Sequence, residues 1–149
     1  IDKANKMNVD IILPSDVVCS KSINDDSCIN IKSIEQMDSD DIGLDIGPET
    51  TMVYLEHLSQ SKKVIWNGPM GLFENFNFAT GTTSISSGIK NYTINNNLNS
   101  IIGGGDTVRA IELTEAIESF THVSTGGGAS LKLLSGEKLD LIKSWEKYE

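Results

Sequence analysis

The chain has 149 residues, of which 38% are apolar, and its formal net charge at pH 7 is −9. This length and composition support one hydrophobic core, so we expect one domain or part of one. The negative charge argues against a nucleic-acid partner or an anionic membrane surface, because both require a basic footprint. The apolar runs are too short to span a membrane, and the first residues lack the pattern of a secretory signal. Two cysteines, Cys19 and Cys28, make neither a disulfide framework nor a zinc site, which fits a reducing cytoplasm.

Four short segments rich in β-branched residues predict strands: Val9 to Cys19, Lys63 to Trp66, Ser100 to Ile102 and His122 to Ser124. Helical or loop material separates them, and this alternation favours a parallel sheet with right-handed crossovers. We therefore predict an α/β fold with helices flanking a parallel sheet, a Rossmann-like three-layer sandwich. The chain begins without methionine in what looks like the middle of a helix, so we expect an incomplete domain.

Helices are predicted between these strands. Gly47-Pro48-Glu49 predicts a helix start, because proline suits the first helical position and a carboxylate favours the first turn. Apolar residues at helical spacing then predict which side chains face the sheet. They are Met52, Leu55 and Leu58 in this helix, Phe78, Ile85 and Ile89 in a helix opened by Leu72-Phe73-Glu74, and Val108, Ile111, Ala116 and Ile117 in a third. Two polar stretches, Ser20 to Asp41 and Thr93 to Asn99, predict loops.

Three consecutive glycines follow the strand at Ser100, in the segment Gly103-Gly104-Gly105-Asp106-Thr107. A strand that ends in glycines and turns directly into a helix exposes backbone N–H groups at the positive end of the helix dipole, where a phosphate binds. Asp106 can bind a cation, and the Thr107 hydroxyl can donate to a phosphate. Magnesium needs only one or two protein carboxylates when phosphates supply its other ligands. The same pattern also fits glycines that allow tight packing and an Asp106 helix cap without any ligand.

The segment Gly126-Gly127-Gly128-Ala129-Ser130 repeats this pattern after the strand at His122. A glycine turn without a ligand is the alternative here as well. Two such turns so close in sequence predict a polyphosphate site. The dinucleotide pattern G-x-G-x-x-G fails at its third glycine in both turns, where Val108 and Leu131 stand, and the chain has no phosphate-loop motif with its lysine.

A third segment, Asn67-Gly68-Pro69-Met70-Gly71, predicts a tight loop after the strand at Lys63. Together with the two glycine turns, this ordered set resembles phosphoglycerate kinase. Two further segments of that family, Ile12 to Val18 and Gly43 to Glu49, match in the same order. The resemblance runs from about residue 9 to about residue 136, and it depends on the ordered set and not on a single motif.

The resemblance implies roles for the matching residues. In the family, the segment of Gly43 and Leu44 forms a base pocket with Leu72 on another side, and the carboxylate at Glu74 binds the ribose hydroxyls. Taken alone, a glutamate such as Glu74 is far more often a favourable charge at a helix start. The full set implied for nucleotide binding is Gly43, Leu44, Asn67, Gly68, Leu72, Glu74, Gly103, Gly104, Gly105, Asp106 and Thr107. The chain departs from the family at Asp41, where tryptophan is common.

At the phosphate end, the resemblance implies that Asp106 supplies the metal-binding carboxylate. It also implies a catalytic role for a second helix start, which faces the phosphoryl group in transit and stabilises its developing charge. The residues concerned are Gly126, Gly127 and Gly128.

The implied activity is that of a glycolytic phosphotransferase. It moves a phosphoryl group between 1,3-bisphosphoglycerate and MgADP to give 3-phosphoglycerate and MgATP. The resemblance implies that residues 1–149 are part of the C-terminal nucleotide-binding domain. We expect the N-terminal phosphoglycerate-binding domain to be absent and this chain alone to be inactive. The implied parent is cytoplasmic and monomeric, with Mg²⁺ and ADP or ATP as ligands, and without nucleic-acid or membrane partners. Leu139 to Glu149 departs from the family's usual ending.

Two other readings stay open at this point, a Rossmann-type dinucleotide-binding fragment of a dehydrogenase and a nucleotide-binding piece without catalysis. Neither histidine, His57 or His122, has partners at ligand or triad spacing, so both are expected at the surface or in packing. The aspartates at 38, 40 and 41 lack calcium-loop spacing and predict a solvated acidic loop.

Overall fold

The computed structural model describes residues 1–24, 28–112 and 117–137. The helices are α1 (Asp2–Lys6), α2 (Pro48–Gln60), α3 (Thr80–Asn96), α4 (Gly105–Glu112) and α5 (Gly127–Leu134). The strands are β1 (Asp16–Ser20), β2 (Asn30–Ser33), β3 (Ile42–Ile46), β4 (Lys63–Asn67), β5 (Asn99–Gly103) and β6 (His122–Ser124). Short 3₁₀ helices lie at Ile34–Gln36, Phe76–Phe78 and Ile117–Ser119. Within the described ranges, no helix is long and apolar enough to cross a membrane.

The last three strands form the predicted parallel sheet, with β5 between β4 and β6. Asn67 pairs with Gly103, and Gly103 pairs with Ser124, so the carboxyl ends of all three strands lie at one edge. Helices connect them, as parallel pairing requires, with α3 between β4 and β5 and α4 between β5 and β6. The turns that follow these strands therefore start from the same edge of the sheet.

The first three strands form a second, antiparallel sheet in the order β2-β1-β3, which the sequence did not predict. The predicted strand Val9 to Cys19 is wrong at its start, because β1 begins at Asp16, and Pro14 has no N–H for a strand ladder. β2 lies inside the predicted loop Ser20 to Asp41. Its sequence gives little sign of a strand because it buries little apolar surface; Ile31 is 62% exposed.

The main hydrophobic core lies between the parallel sheet and helices α3 and α4. Its buried members are Ile46, Trp66, Ile85, Ile89, Leu98, Ile102, Ile111 and Phe120. Ile101 points away from this core, because it alternates with Ile102 along β5, and it borders a cavity of about 210 Å³ together with Leu131 of α5. Helices thus lie on both faces of a three-stranded parallel sheet, and the predicted fold class is confirmed.

Helix α2 begins at Pro48 with Gly47 as its N-cap, as predicted. Leu55 and Leu58 pack against the core, which confirms that part of the prediction. The prediction for Met52 is wrong, because its side chain is 66% exposed. The face of α2 that reaches the core is set by Leu55, Leu58 and Tyr54, which leaves Met52 outside it.

The start of α3 differs from the prediction. Leu72-Phe73-Glu74 forms a turn and not a helix, and α3 begins at Thr80. Asn75 explains the delay, because its side chain accepts the N–H of Asn77 at 3.0 Å and stabilises a separate 3₁₀ turn. The expected burial of Phe78, Ile85 and Ile89 is confirmed.

The end of α3 also differs. The predicted loop Thr93 to Asn99 is wrong for most of its length, because α3 continues to Asn96 and β5 begins at Asn99. Asn97 ends the helix with a left-handed backbone, φ 57°, a conformation that asparagine adopts more readily than most residues. Farther along the chain, Val108 and Ile111 are buried as predicted. Ile117 packs against the core, whereas Ala116 and Leu139 to Glu149 lie outside the described residues.

Candidate functional site

Three turns meet at the carboxyl edge of the parallel sheet. They follow β4, β5 and β6 and begin at Asn67, Gly103 and Thr125 respectively. The Gly104 N–H donates to the carbonyl oxygen of Ser124 at 3.2 Å, which joins the second turn to the end of the third strand. The three segments therefore lie side by side, because parallel strands bring their carboxyl ends to one edge.

The first glycine turn requires glycine at Gly104, whose φ is +96°. A Cβ at this position would lie 3.0 Å from Oδ1 of Asn67, so the Asn67 carboxamide lies directly beside the turn. Asp106 is exposed in the first turn of α4. It follows the first helical residue, Gly105, and so is not the helix cap of the alternative interpretation. The first N–H groups of α4 have no partners within the helix, which leaves a positive helix end next to an exposed carboxylate.

Thr107 is fully buried, and its hydroxyl oxygen accepts the N–H of Gly68 at 2.7 Å. This contact connects the start of α4 to the loop after β4. The sequence predicted a phosphate contact for this hydroxyl and did not predict the bond to Gly68. Thr107 therefore joins two segments of the site as well as lying beside the glycine turn.

The second glycine turn packs tightly against the first. A Cβ on Gly127 would lie 2.9 Å from the Cα of Gly104, which is closer than real Cβ contacts allow. The Ser124 hydroxyl accepts the N–H of Gly126 at 3.2 Å and lies 3.1 Å from the Ser130 hydroxyl, so it closes the turn onto α5. Two helix starts are thus held in direct backbone contact, which is possible because Gly127 has no Cβ.

A cavity of about 480 Å³ lies where the antiparallel sheet meets the loop after β4. Gly43 and Leu44 of β3 line one side, and Met70, Gly71 and Leu72 line another. The Leu72 N–H donates to the carbonyl oxygen of Leu44 at 2.8 Å and fixes the two sides together. The structure therefore brings the three residues expected at a base pocket to one cavity.

Glu74 is exposed in the turn that follows this loop. It is not at a helix start, because α3 begins at Thr80 and the intervening 3₁₀ helix begins at Phe76. The alternative interpretation of Glu74, a favourable charge at a helix start, is therefore wrong.

Two buried side chains near this cavity have roles that were not predicted from the sequence. Thr82 of α3 is 2% exposed, and its hydroxyl oxygen accepts the N–H groups of Met70 at 3.0 Å and Gly71 at 3.3 Å. Asp45 of β3 accepts the N–H of Gly81 at 2.7 Å and thereby caps α3. Burial raises the pKa of the Asp45 carboxyl above its ordinary value, although the N–H groups of Gly81 and Ile46 oppose this change. No local motif marks either residue, because their partners lie in other segments of the chain.

The acidic loop is organised by two lysines. Lys32 Nζ lies 2.7 Å from carboxylate oxygens of both Asp38 and Asp41, and Lys21 pairs with Asp40 and, at 3.0 Å, with Asp41. The hydrogen bond from Lys32 is the main cause that lowers the pKa of Asp41. The prediction of solvated side chains is confirmed for Asp38 and Asp40 and wrong for Asp41, whose side chain is only 2% exposed. At the position where tryptophan is common in the family, this chain thus has a carboxylate neutralised by lysines.

Other candidate positions lie away from this edge. His57 and His122 are both exposed, as expected. A larger cavity, of about 710 Å³, lies between the antiparallel sheet and the starts of α2 and α3, where Ile31 and Met52 are among its lining residues. It contains none of the predicted site residues, so its size alone does not indicate a function.

Comparisons with known proteins cover the segments that contain the three turns. The family model of phosphoglycerate kinase matches residues 1–137. The phosphoglycerate kinase of Dictyoglomus turgidum is 44% identical over 139 residues, which cover 93% of this chain and 34% of that protein. The cytosolic phosphoglycerate kinase of Crithidia fasciculata is 44% identical over 140 residues, which cover 93% of this chain and 33% of that protein.

A solved structure gives the same result at the level of the fold. The phosphoglycerate kinase of Coxiella burnetii superposes with a TM-score of 0.84 at 34% identity, covering 91% of this chain and 34% of that one. The chain thus spans about a third of the length of the relatives that it matches. Because the match extends over residues 1–137 and includes all three turns, the chain belongs to the phosphoglycerate kinase family.

Proposed function

We propose that this chain is the nucleotide-binding part of a glycolytic phosphotransferase. The parent enzyme moves a phosphoryl group between 1,3-bisphosphoglycerate and MgADP, giving 3-phosphoglycerate and MgATP. The observation that carries this proposal is the contact between the two glycine turns, in which Gly127 packs against Gly104 at the carboxyl edge of a parallel sheet. Two adjacent helix starts offer two sets of backbone N–H groups to one chain of phosphates.

The two glycine turns have different roles in this proposal. Gly103, Gly104, Gly105 and Thr107 bind the nucleotide phosphates through the start of α4. Gly126, Gly127 and Gly128 face the phosphoryl group that is transferred, where fixed N–H dipoles stabilise the charge that develops in the transition state. Support comes from the positions of these segments at the starts of α4 and α5.

Magnesium fits the donor chemistry of this edge. Asp106 is the single carboxylate in the two glycine segments, 103–107 and 126–130, and its side chain is exposed. One carboxylate suffices when nucleotide phosphates complete the coordination of Mg²⁺. A bound Mg²⁺ neutralises negative charge on the phosphates during transfer. Asp106 is therefore the residue that we assign to the metal.

The base and ribose lie toward the other end of the site in this proposal. Gly43, Leu44 and Leu72 contact the base in the cavity of about 480 Å³. Asn67 and Gly68 contact the nucleotide between base and phosphates, and Glu74 binds the ribose hydroxyls. The position of Asn67 beside Gly104 supports its placement next to the phosphates.

The phosphoglycerate substrates bind through the part of the parent enzyme that this chain does not span. Since the matched relatives are about three times as long, this chain alone is expected to bind nucleotide weakly and to transfer no phosphoryl group. A cytoplasmic, monomeric parent without nucleic-acid or membrane partners completes the proposal, and the cytosolic relative from Crithidia fasciculata supports the location.

Two measurements test the proposal. Isothermal titration of the 149-residue chain with MgADP and, separately, with NAD should give binding of MgADP only. Turnover should appear when the chain replaces the matching segment of the Dictyoglomus turgidum kinase, in a coupled assay with 3-phosphoglycerate and MgATP. Preference for NAD, or a folded chimera without turnover, would overturn the proposal.

A further inference from the structure

The loop Gly68 to Leu72 has no free backbone N–H. Pro69 has none, and the other four groups all donate to protein oxygens. Gly68 donates to the Thr107 hydroxyl at the phosphate end, and Leu72 donates to the carbonyl oxygen of Leu44 at 2.8 Å. Between them, Met70 and Gly71 both donate to the single hydroxyl of Thr82. The loop is therefore held at both ends and in its middle.

The contact with Thr82 lies in a closely packed part of the fold. Thr82 is 2% exposed near the start of α3, and the Asp45 carboxylate lies in the same place between two glycines. A Cβ on either Gly71 or Gly81 would lie 2.4 Å from Oδ1 of Asp45. The loop thus packs directly on the start of α3, with backbone and buried side chains in contact and with Thr82 as the acceptor for its middle.

These contacts matter for the cavity because Met70, Gly71 and Leu72 form one of its sides. Loss of the Thr82 hydroxyl would leave two N–H groups without their acceptor, and a buried donor without an acceptor is energetically costly, so we expect the loop to shift. A shift of Met70 and Gly71 would change the width of the cavity between this loop and Gly43. Among the described residues, the partners of this hydroxyl are the backbone N–H groups of Met70 and Gly71.

We propose that Thr82 is a positioning residue for the nucleotide, which sets the side of the base pocket by holding Met70 and Gly71. This inference rests on the proposed nucleotide site. Thr82 acts before the chemical step, so its effect belongs to nucleotide affinity and not to turnover. The hydroxyl is the part that matters, so serine can replace threonine and valine cannot.

The test uses Thr82→Val and Thr82→Ser in the full-length chimera with the Dictyoglomus turgidum kinase. Valine keeps the shape of threonine without the acceptor, and we expect the KM for MgADP to rise about tenfold while kcat changes less than about twofold. Thr82→Ser should restore a KM within about twofold of the unsubstituted chimera, because it keeps the acceptor oxygen. The KM for the phosphoglycerate substrate should stay unchanged in both.

Ser100→Ala supplies the matched control. Ser100 is fully buried, and its hydroxyl accepts the Thr121 N–H at 3.0 Å, but it lies at the other end of β5 from Gly103. This variant should lose stability without a change in the KM for MgADP. An unchanged KM in Thr82→Val, an equal rise in Ser100→Ala, or no rescue by serine would each overturn the inference. Failure of the unsubstituted chimera to use MgADP would instead contradict the proposed function itself.

Discussion

The candidate site has two parts that are built in different ways. The phosphate end consists of the two glycine turns after β5 and β6, and the base end consists of the cavity between β3 and the loop after β4. At the phosphate end, each turn follows directly from its own strand, and the parallel sheet brings Gly103 and Ser124 into register. At the base end, a strand of the antiparallel sheet, a loop and the start of α3 meet through hydrogen bonds between distant segments, such as Asp45 with Gly81. The phosphate end therefore depends on backbone shape, whereas the base end depends on a few buried side chains.

This difference predicts how the two ends fail. A change at the phosphate end should affect the chemical step or the contact between the turns, because the transferred group is proposed to lie there. A change at the base end should alter affinity and leave turnover in place, because contacts to base and ribose are the same in the ground state and the transition state.

The largest effect is expected from Asp106→Asn in the full-length chimera. The kcat should fall about a hundredfold or more, because the variant lacks the carboxylate assigned to a metal that supplies several kcal/mol of charge stabilisation. Coupled assays over a range of Mg²⁺ concentration measure this effect. The free energy of unfolding should change by only about 0.3–1 kcal/mol, the usual contribution of an exposed charge in a first helical turn. A variant with unaltered magnesium dependence would show that the metal ligand has been assigned wrongly.

Gly127→Ala should break the contact between the two turns. Its Cβ would lie 2.9 Å from the Cα of Gly104, so the backbones must separate, at a cost of about 1–3 kcal/mol in the free energy of unfolding. Gly128→Ala is the matched control for stability, because its Cβ meets nothing within 4 Å. Urea unfolding of the two variants measures the difference in their free energy of unfolding. Equal stability of the two would mean that the contact between the turns does not constrain them.

Glu74→Ala tests the ribose contact at the base end. We expect the KM for MgADP to rise by about tenfold to a hundredfold with kcat nearly constant, since a hydrogen bond to a charged group contributes about 1.5–3 kcal/mol and is present before and during the reaction. Steady-state kinetics of the chimera provide the measurement. If kcat at saturating nucleotide collapsed instead, Glu74 would have a role in the chemical step.

The smallest effect concerns pH, and it compares two buried aspartates that cap helices. Asp45 caps α3, and the Asp16 carboxylate accepts the N–H groups of Glu49 and Thr50 in the first turn of α2. Burial raises the pKa of Asp45, so its ionised form weakens the fold, and this penalty grows as the pH rises above the carboxyl's ordinary value of 3.8. Burial also acts on Asp16, but hydrogen bonds from Thr50 and Glu49 outweigh it and lower that pKa. Asp16 therefore stabilises the fold above pH 3.8 and loses this contribution as the pH falls.

Unfolding of Asp45→Asn and Asp16→Asn across the acid range should show these opposite trends. Relative to the unsubstituted chain, Asp45→Asn should become comparatively more stable as the pH rises from 3.8, and Asp16→Asn comparatively less stable. Parallel curves for the two variants would mean that the surroundings of Asp45 do not disfavour its charge.

The sequence predicts the phosphate end well, because its signals are local. Short β-branched strands, glycine runs and Pro48 at a helix start each mark their own structure within a few residues. Most of the base end could not be predicted in this way. β2 buries little apolar surface, and the Thr82 hydroxyl finds its partners 11 and 12 residues away in a loop. Asp45 caps a helix that starts in a different segment, so only the folded chain reveals its role.

The central claim is that MgADP binds at the carboxyl edge of the parallel sheet, from the glycine turns at the phosphate end to the cavity at the base end. Backbone amide NMR of the 149-residue chain, titrated with MgADP, tests it most directly, since it detects weak binding residue by residue. Changes in amide chemical shift should concentrate at Gly43 and Leu44, in the loop after Asn67, and from Gly103 to Thr107. Shifts confined to the larger cavity beside Ile31 and Met52, or stronger shifts with NAD than with MgADP, would contradict the account.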